Sequence, residues 1–321
     1  MLAQLELSPV PDFKAARRGW TELAERSGNL FGTLEWLTLW WRHFGCGRLE
    51  LWRLGESPAP TALFAMHLHD GRLRFLGAPH GDELGPVVTG AMRDEAARAL
   101  GRLLHEGDLP WQRFEAHDVP ADVGWTEATG ARVTDRTASP VLALDAGWPG
   151  FLESRSRNFR GQLRSRERRL ARAFRVSVRL ADDPERLECD LDALFALHAA
   201  RWGPRRARGF AGPARAFHRA FAAVALERGW LRLRFLELDG VPAAALLNFG
   251  FGGSEWYYQG GRDPAYDRYA PGLVLQLRAI RSAFEDGLKT YRFLRGDEAY
   301  KRRLASHDRG LVSLHLDRPT R

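Results

Sequence analysis

Three clusters in the chain combine side chains that can move protons or hold anions. The first is Arg295-Gly296-Asp297-Glu298-Ala299-Tyr300-Lys301, where carboxylates, a phenol and an amine stand close together. Asp297 can cap a helix or contact a substrate, Tyr300 can act as an acid or hydrogen-bond donor, and Lys301 can hold a carboxylate or phosphate. Each can equally be a surface feature of a short helix. The second is His198 with Arg201, three apart on the apolar-periodic stretch 187–202 and so on one helix face, with Trp202 alongside. A histidine there has a suitable pKa for a general base, although a lone helix histidine is more often structural. The third is Arg268-Tyr269-Ala270-Pro271-Gly272-Leu273, a turn running into an apolar helix. Pro near a helix start fixes a compatible backbone and Gly permits close approach, so the free amides of that turn can receive an anion such as a pyrophosphate, with Arg268 as counter-charge. An ordinary Pro-Gly helix start is the alternative. Asp263 and Tyr258 are further candidates, Tyr258 being equally plausible as core. His67, His69, His80 and Asp82 form no ligand set of known spacing, so no metal is expected.

The elements that must position these groups follow from periodicity. FHRAFAAVALERG has helical spacing and ends on Gly229; WLRLRFLEL alternates with a period of two; a turn leads to AAALLNFGF and then to the aromatic strand SEWYYQGG. PGLVLQLRAIRSAFEDG reads as a helix, TYRFL as a strand, DEAYKRRLA as a short helix and GLVSLHL as the last strand of the second half. Upstream, FLESRSRNFRGQLRSRERRLARAF reads as one helix that turns Phe151, Leu152, Phe159, Leu163, Leu170 and Phe174 toward protein. Its arginines then form either a solvated face or an anion- or RNA-binding one.

Sliding the sequence by 182 residues sets LELWRLGESPAPTALFAMHLHDG (49–71) on LRLRFLELDGVPAAALLNFGFGG (231–253), and with a small slip Gly107 meets Gly287 and Trp111 meets Tyr291. Collinear matches over such a length indicate a domain-sized duplication. The two copies differ at one place. Gly90 falls at the position of Gly272, but Asp94 and Glu95 follow it where the second copy has Leu273, Val274 and Leu275. Carboxylates there answer the helix's own positive end and repel a phosphate, so only the second copy keeps an open anion site.

At 321 residues the chain fits two domains, and 11 Trp with 18 Phe can fill two cores. The net charge of +8 favours anionic partners, and nine arginines fall between Arg155 and Arg175. Only three lysines occur, at Lys14, Lys289 and Lys301, which draws some attention to Lys301. The two cysteines, Cys46 and Cys189, imply no disulfide framework and are expected to be buried thiols. No window is long and apolar enough to span a bilayer and no signal peptide is evident, so a cytoplasmic protein without membrane insertion is expected.

The runs LHAARWGPRRARGF, WYYQGGRDPAYDRYAPGLVL and YRFLRGDEAYKRRLA, in this order and spacing, resemble the BioF2-like acetyltransferase domain of the CelD type, within the GNAT superfamily. The resemblance covers about residues 30–316 and extends, more distantly, to the double-GNAT Fem-type aminoacyltransferases. It implies an α/β (α+β) fold of two tandem GNAT-like domains with mixed sheets. The expected division is a first GNAT-like domain over 1–150 without an open phosphate site, an arginine-rich inter-domain helix over 151–175 and a catalytic domain over 176–321. It also implies that the strand 256–261 splays from 290–294 and opens a cleft for the pantetheine of an acyl-coenzyme A. Tyr258, Gln259 and Gly260 would line that cleft, and Arg268, Tyr269, Ala270, Gly272 and Leu273 would hold the pyrophosphate, with fewer backbone donors than usual because Pro271 has none. Acyl transfer to an amine needs a base, oxyanion donors and an acid for the departing thiolate, which gives Asp297, Tyr300, Lys301, His198 and Arg201 their candidate roles. The expected function is N-acyl transfer from acetyl-CoA or another acyl-CoA to a small-molecule or peptide-like amine. Aminoacyl transfer from charged tRNA and a non-catalytic binding module are the alternatives.

Overall fold

The computed structural model describes residues 5–318, without the side chains of 204–208. The chain divides into two compact units, one formed by 1–140, 295–303 and 307–321, the other by 141–294 and 304–306. The boundary does not run straight through the sequence because the last strand, Leu311–Asp317, does not close the second half. It pairs antiparallel with Arg113–Pro120 on one side and Arg132–Thr137 on the other, within the sheet of the first unit. In the second unit the corresponding edge of Thr290–Arg292 is taken by Val141, Leu142 and Ala143.

The first sheet runs in the order Leu7–Val10, Arg48–Leu54, Ala62–His69, Arg72–Phe75, Arg113–Pro120, Leu311–Asp317, Arg132–Thr137, with Val87–Val88 paired to Ala62–His69. Only Arg72–Phe75 and Arg113–Pro120 pair in parallel. The helix Phe13–Ser27 is started by Asp12, whose carboxylate accepts from the Ala15 amide at 2.8 Å, and stopped by Gly28 in the left-handed region at φ 68°. The helix Arg93–Glu106 lies so close to the backbone of Ala128 that a Cβ at Gly101 would overlap its carbonyl oxygen. Phe64, Leu73, Leu100, Leu103, Trp111 and Phe114 fill the core between helix and sheet.

The second sheet orders Pro140–Ala143, Thr290–Arg292, Ser254–Arg262, Val241–Phe251, Leu231–Leu238 and Val176–Leu180. The helices Leu187–Arg206, Pro213–Glu227 and Pro271–Glu285 pack on it. The stretch expected as one arginine-rich helix is broken. Gly147–Glu153 ends, and Arg157–Ala173 restarts where the Ser156 hydroxyl accepts from the Phe159 amide at 3.1 Å. Phe151, Leu163 and Leu170 are buried and Leu152, Phe159 and Phe174 half-buried, and the helix Arg157–Ala173 packs on Pro271–Glu285 within the second unit. Leu187–Arg206 continues past Trp202 but breaks its helical backbone at Gly203, at φ 70° and ψ 170°.

The duplication is legible in the strand pairing. Arg72, Leu73 and Arg74 lie opposite Arg113, Phe114 and Glu115, as Ser254, Glu255 and Trp256 lie opposite Thr290, Tyr291 and Arg292. Phe114, and not Trp111 as the sequence alignment has it, therefore stands where Tyr291 does. One other expectation changes, for both cysteines are exposed. His67 is buried, with its Nδ1 at 3.2 Å from the Cys46 carbonyl oxygen.

Candidate active site

The site in the second unit is built on the strand Ser254–Arg262. Its first residues pair in parallel with Thr290–Arg292, but that pairing ends at Trp256, while on its other side the strand stays paired with Val241–Phe251 through Arg262. A register shift sets Leu247 opposite Gln259 and Asn248 opposite Tyr257, so Tyr258 falls in a bulge. A bulge bends its strand and increases its twist, which carries 257–262 away from the parallel neighbour. The edge so opened is the feature expected of a cleft. Below it a buried network fixes the point of parting. Gln276 Nε2 and Asn248 Nδ2 donate to the Tyr291 hydroxyl at 2.7 and 2.8 Å, Asn248 Nδ2 also lies 2.6 Å from Glu255, and Arg234 pairs with Glu255 at 2.5 Å. Burial pushes both the Glu255 carboxyl and the Tyr291 phenol above their ordinary pKa values.

The helix Leu187–Arg206 presses directly on this strand. A Cβ at Gly261 would overlap the backbone nitrogen of His198, so glycine is what allows the approach. Arg201 donates from Nη1 to the Gly260 carbonyl at 3.2 Å, and its guanidinium lies 4.3 Å from the Trp202 ring. His198 is 4% exposed and contacts the Phe210 ring edge-on at 4.8 Å. Burial, with Arg201 adding to it against a hydrogen bond to Gln259, lowers its pKa to about 4, and its Nδ1 is buried without a partner. His198 is therefore a neutral ring that helps seat the helix, and a poor base near neutral pH.

A histidine that periodicity read only as part of an apolar helix stands beside the bulged strand instead. His218, on the helix Pro213–Glu227, has Nδ1 2.5 Å from the Ala214 carbonyl oxygen and Nε2 2.8 Å from the Tyr258 hydroxyl. A carbonyl only accepts, so Nδ1 carries the proton and Nε2 receives the Tyr258 O–H. The buried imidazole thus draws on the proton of a half-buried phenol at the bulge.

After the strand, the Asp263 carboxylate caps a short 3-10 helix, Pro264–Tyr269, by accepting from the Ala265 amide at 2.9 Å. Ala270 takes a left-handed conformation, φ 54° and ψ 49°, and Pro271–Glu285 begins with no side-chain cap. The Leu273 and Val274 amides turn back to the Ala270 carbonyl at 3.1 and 3.2 Å, and Pro271 has no amide, so the donor left in the first turn is Gly272. Cations gather beside it. The Arg268 guanidinium lies 4.7 Å from the Tyr269 ring, Arg169 lies 5.8 Å from the same ring, and Arg169 Nη2 donates to the Arg268 carbonyl at 2.8 Å. Arg262 is already paired with Asp267 at 2.6 Å. Arg169 was hidden from sequence reasoning among similar arginines, and only the fold brings it to residue 268.

Tyr258, Gln259, Gly260, His198 and Arg201 thus come together, with Arg268–Leu273 at the end of the same strand's connection. Asp297, Tyr300 and Lys301 belong to the first unit. There Asp297 is exposed and pairs with Arg302 at 3.1 Å, and Tyr300 is half-buried. Lys301 is 4% exposed; its Nζ donates to the Arg295 carbonyl at 2.7 Å and pairs with Glu298 at 3.0 Å. Gly296, at φ 124°, leaves room for that pair, since a Cβ there would strike Glu298 Oε2. Lys301 anchors a loop, and its three donors are not presented to a ligand. Among the described residues no group of three or more His, Cys, Asp or Glu is arranged to hold a metal, and no helix is long and apolar enough to cross a membrane.

Residues 157–302 match the family described as the acetyltransferase (GNAT) domain. No curated protein sequence matches the chain. Among solved structures it is similar to FemX, at 14% identity over 97% of this chain and 96% of that one, TM-score 0.63. The C-terminal domain of a putative lysylphosphatidylglycerol synthetase from Agrobacterium fabrum gives 11% identity, 95% and 92% coverage and TM-score 0.63. A tandem GNAT protein from the clavulanic acid biosynthesis pathway gives 14% identity, 99% and 100% coverage and TM-score 0.53. At these identities the likeness is one of fold, and it spans both units. Residues 157–302 match that domain family, and the chain as a whole has the tandem GNAT fold.

Proposed function

We propose that the second unit transfers an acyl group from an acyl-coenzyme A, acetyl-CoA being the simplest, to an amine-bearing small molecule or peptide-like acceptor. The observation that carries this reading is the parting of Ser254–Arg262 from Thr290–Arg292 in a strand that leads to the helix start at Gly272, with Arg268 just before it and Arg169 bonded to the Arg268 carbonyl. The strand edge offers hydrogen bonds to an extended amide-containing arm, and the helix start with its two cations receives a pyrophosphate. The acceptor nitrogen attacks the thioester carbonyl, forming a C–N bond and a tetrahedral oxyanion; collapse breaks the C–S bond and expels thiolate. Tyr258 and His218 carry the proton. As the amine loses it, the Tyr258 oxygen takes it while its own proton passes to His218 Nε2, and the reverse transfer protonates the thiolate.

A second reading, aminoacyl transfer from charged tRNA, is supported by the exposed arginines of Arg157–Ala173 and by the FemX likeness. The two are separated by incubating the protein with acetyl-CoA and a mixture of primary amines while following free-thiol release, in parallel with a mixture of labelled aminoacyl-tRNAs. Amine-dependent thiol release supports the first reading, and label transfer without thiol release replaces it.

A further inference from the structure

The first unit keeps its own counterpart of the cleft. Beyond the three paired residues of each strand, Arg72–Phe75 and Arg113–Pro120 part, and a cavity of about 620 Å³ opens there, lined by Ala78 and Pro79 beyond the first strand and by His117 and Asp118 of the second. It does not suit a phosphorylated ligand, because the helix start at the place of the phosphate loop carries Asp94 and Glu95 in its first turn, with Glu95 paired to Arg98 and Arg102.

Its walls have a different chemistry. Trp40, Phe44 and Phe75 supply apolar faces. Trp40 is 3% exposed and its indole N–H is buried with no partner, which leaves a donor needing an acceptor. Two guanidiniums line the cavity, and both are already matched. Arg74 is bonded to Glu115, and Arg295 pairs with Asp82 at 3.2 Å and with Asp118 at 2.6 Å. Asp135 lines the cavity in addition. Glu115 and Asp82, which do not line the cavity, answer the two arginines, so of the two carboxylates that line it Asp135 is left without an arginine. Burial lowers the pKa of the His67 imidazole, against the hydrogen bond to the Cys46 carbonyl, and so disfavours a positive charge there.

We propose that this cavity binds a small organic cation, a primary amine with an apolar body, its ammonium against Asp135 and Asp118 and its body against Trp40, Phe44 and Phe75. The site stands apart from the chemistry of the second unit and is tested without it.

Phenethylamine and phenylacetate have nearly the same shape and opposite charge, so titrating each into the whole protein, followed by calorimetry and tryptophan fluorescence, isolates the charge preference. Phenethylamine should bind at least about tenfold more tightly than phenylacetate. Asp135→Asn, at an exposed position, should lower phenethylamine affinity by about tenfold without changing the melting temperature, and Ala78→Trp should fill the cavity and abolish binding. Equal affinity for the two probes, no amine binding, or amine binding unchanged in Asp135→Asn overturns the proposal, and Asp135→Asn alone decides it should Ala78→Trp fail to fold.

Discussion

At the scale of single residues, the proposed chemistry rests on a pair that no local pattern announces. In the sequence His218 is one polar residue in an apolar helical run, and Tyr258 one of two adjacent tyrosines in a strand; their hydrogen bond exists only once helix and sheet are packed. Tyr258→Phe should lower turnover by about 10²-fold or more and leave coenzyme A affinity nearly unchanged, since the lost group moves a proton in the transition state. Equal losses in both, measured by steady-state kinetics and calorimetry, would mean that the phenol binds the donor instead. His198 was legible as a functional-looking histidine, but its burial makes it structural. Its pKa of about 4 in the folded chain lies below the ordinary 6.5, so the unfolded chain takes up a proton first as pH falls. Stability present above pH 6.5 is therefore lost progressively down to about pH 4, by up to about 3 kcal/mol from this residue. Denaturant titrations should show a shallower fall across that window for His198→Gln than for the wild type; parallel curves would contradict the assignment. Lys301 stood out because lysine is rare here, and the structure gives it a loop to hold. Lys301→Ala should cost about 1–3 kcal/mol of stability by stranding the Arg295 carbonyl and Glu298, as read from the denaturation midpoint.

At the scale of elements, alternation and helical spacing located most strands and helices of the second half, because each buries one face and its pattern shows it. What they could not show is where one element touches another. The bulge at Tyr258 is a property of register, and the contact of Gly261 with the His198 backbone is one of packing. Gly261→Ala should destabilise the protein by about 3 kcal/mol, because backbone cannot yield as a side-chain tip can. A melting temperature equal to the wild type's would show that the helix is free to shift. Arg169 reaches the loop at Arg268 for the same non-local reason. Arg169→Ala should weaken coenzyme A binding by about tenfold while removal of Arg164, exposed on the same helix, leaves it unchanged.

At the scale of the molecule, the duplication was visible in the sequence and the exchange of edge strands was not. GLVSLHL reads as a strand wherever it is placed, and neither composition nor spacing says which sheet it joins. Leu311–Asp317 sits between two strands of the first unit, so a chain ending at Asp308 should lose hydrogen-exchange protection over 113–120 and 132–137 before it loses any over 231–262. The asymmetry between the two copies matters most, since the proposed function assigns the donor site to one half and leaves the other for a different ligand. Its most direct test is a calorimetric titration of coenzyme A into three proteins: the wild type, Gly272→Glu and Gly90→Glu. Either glycine accepts a Cβ, with only Arg262 Cδ at 3.6 Å from the one at 272 and nothing within 4 Å of the one at 90, so both variants should fold. Coenzyme A should bind the wild type and Gly90→Glu alike, and Gly272→Glu should abolish binding. Equal loss in both variants, or no binding by the wild type, would contradict the assignment of the donor site to the second unit.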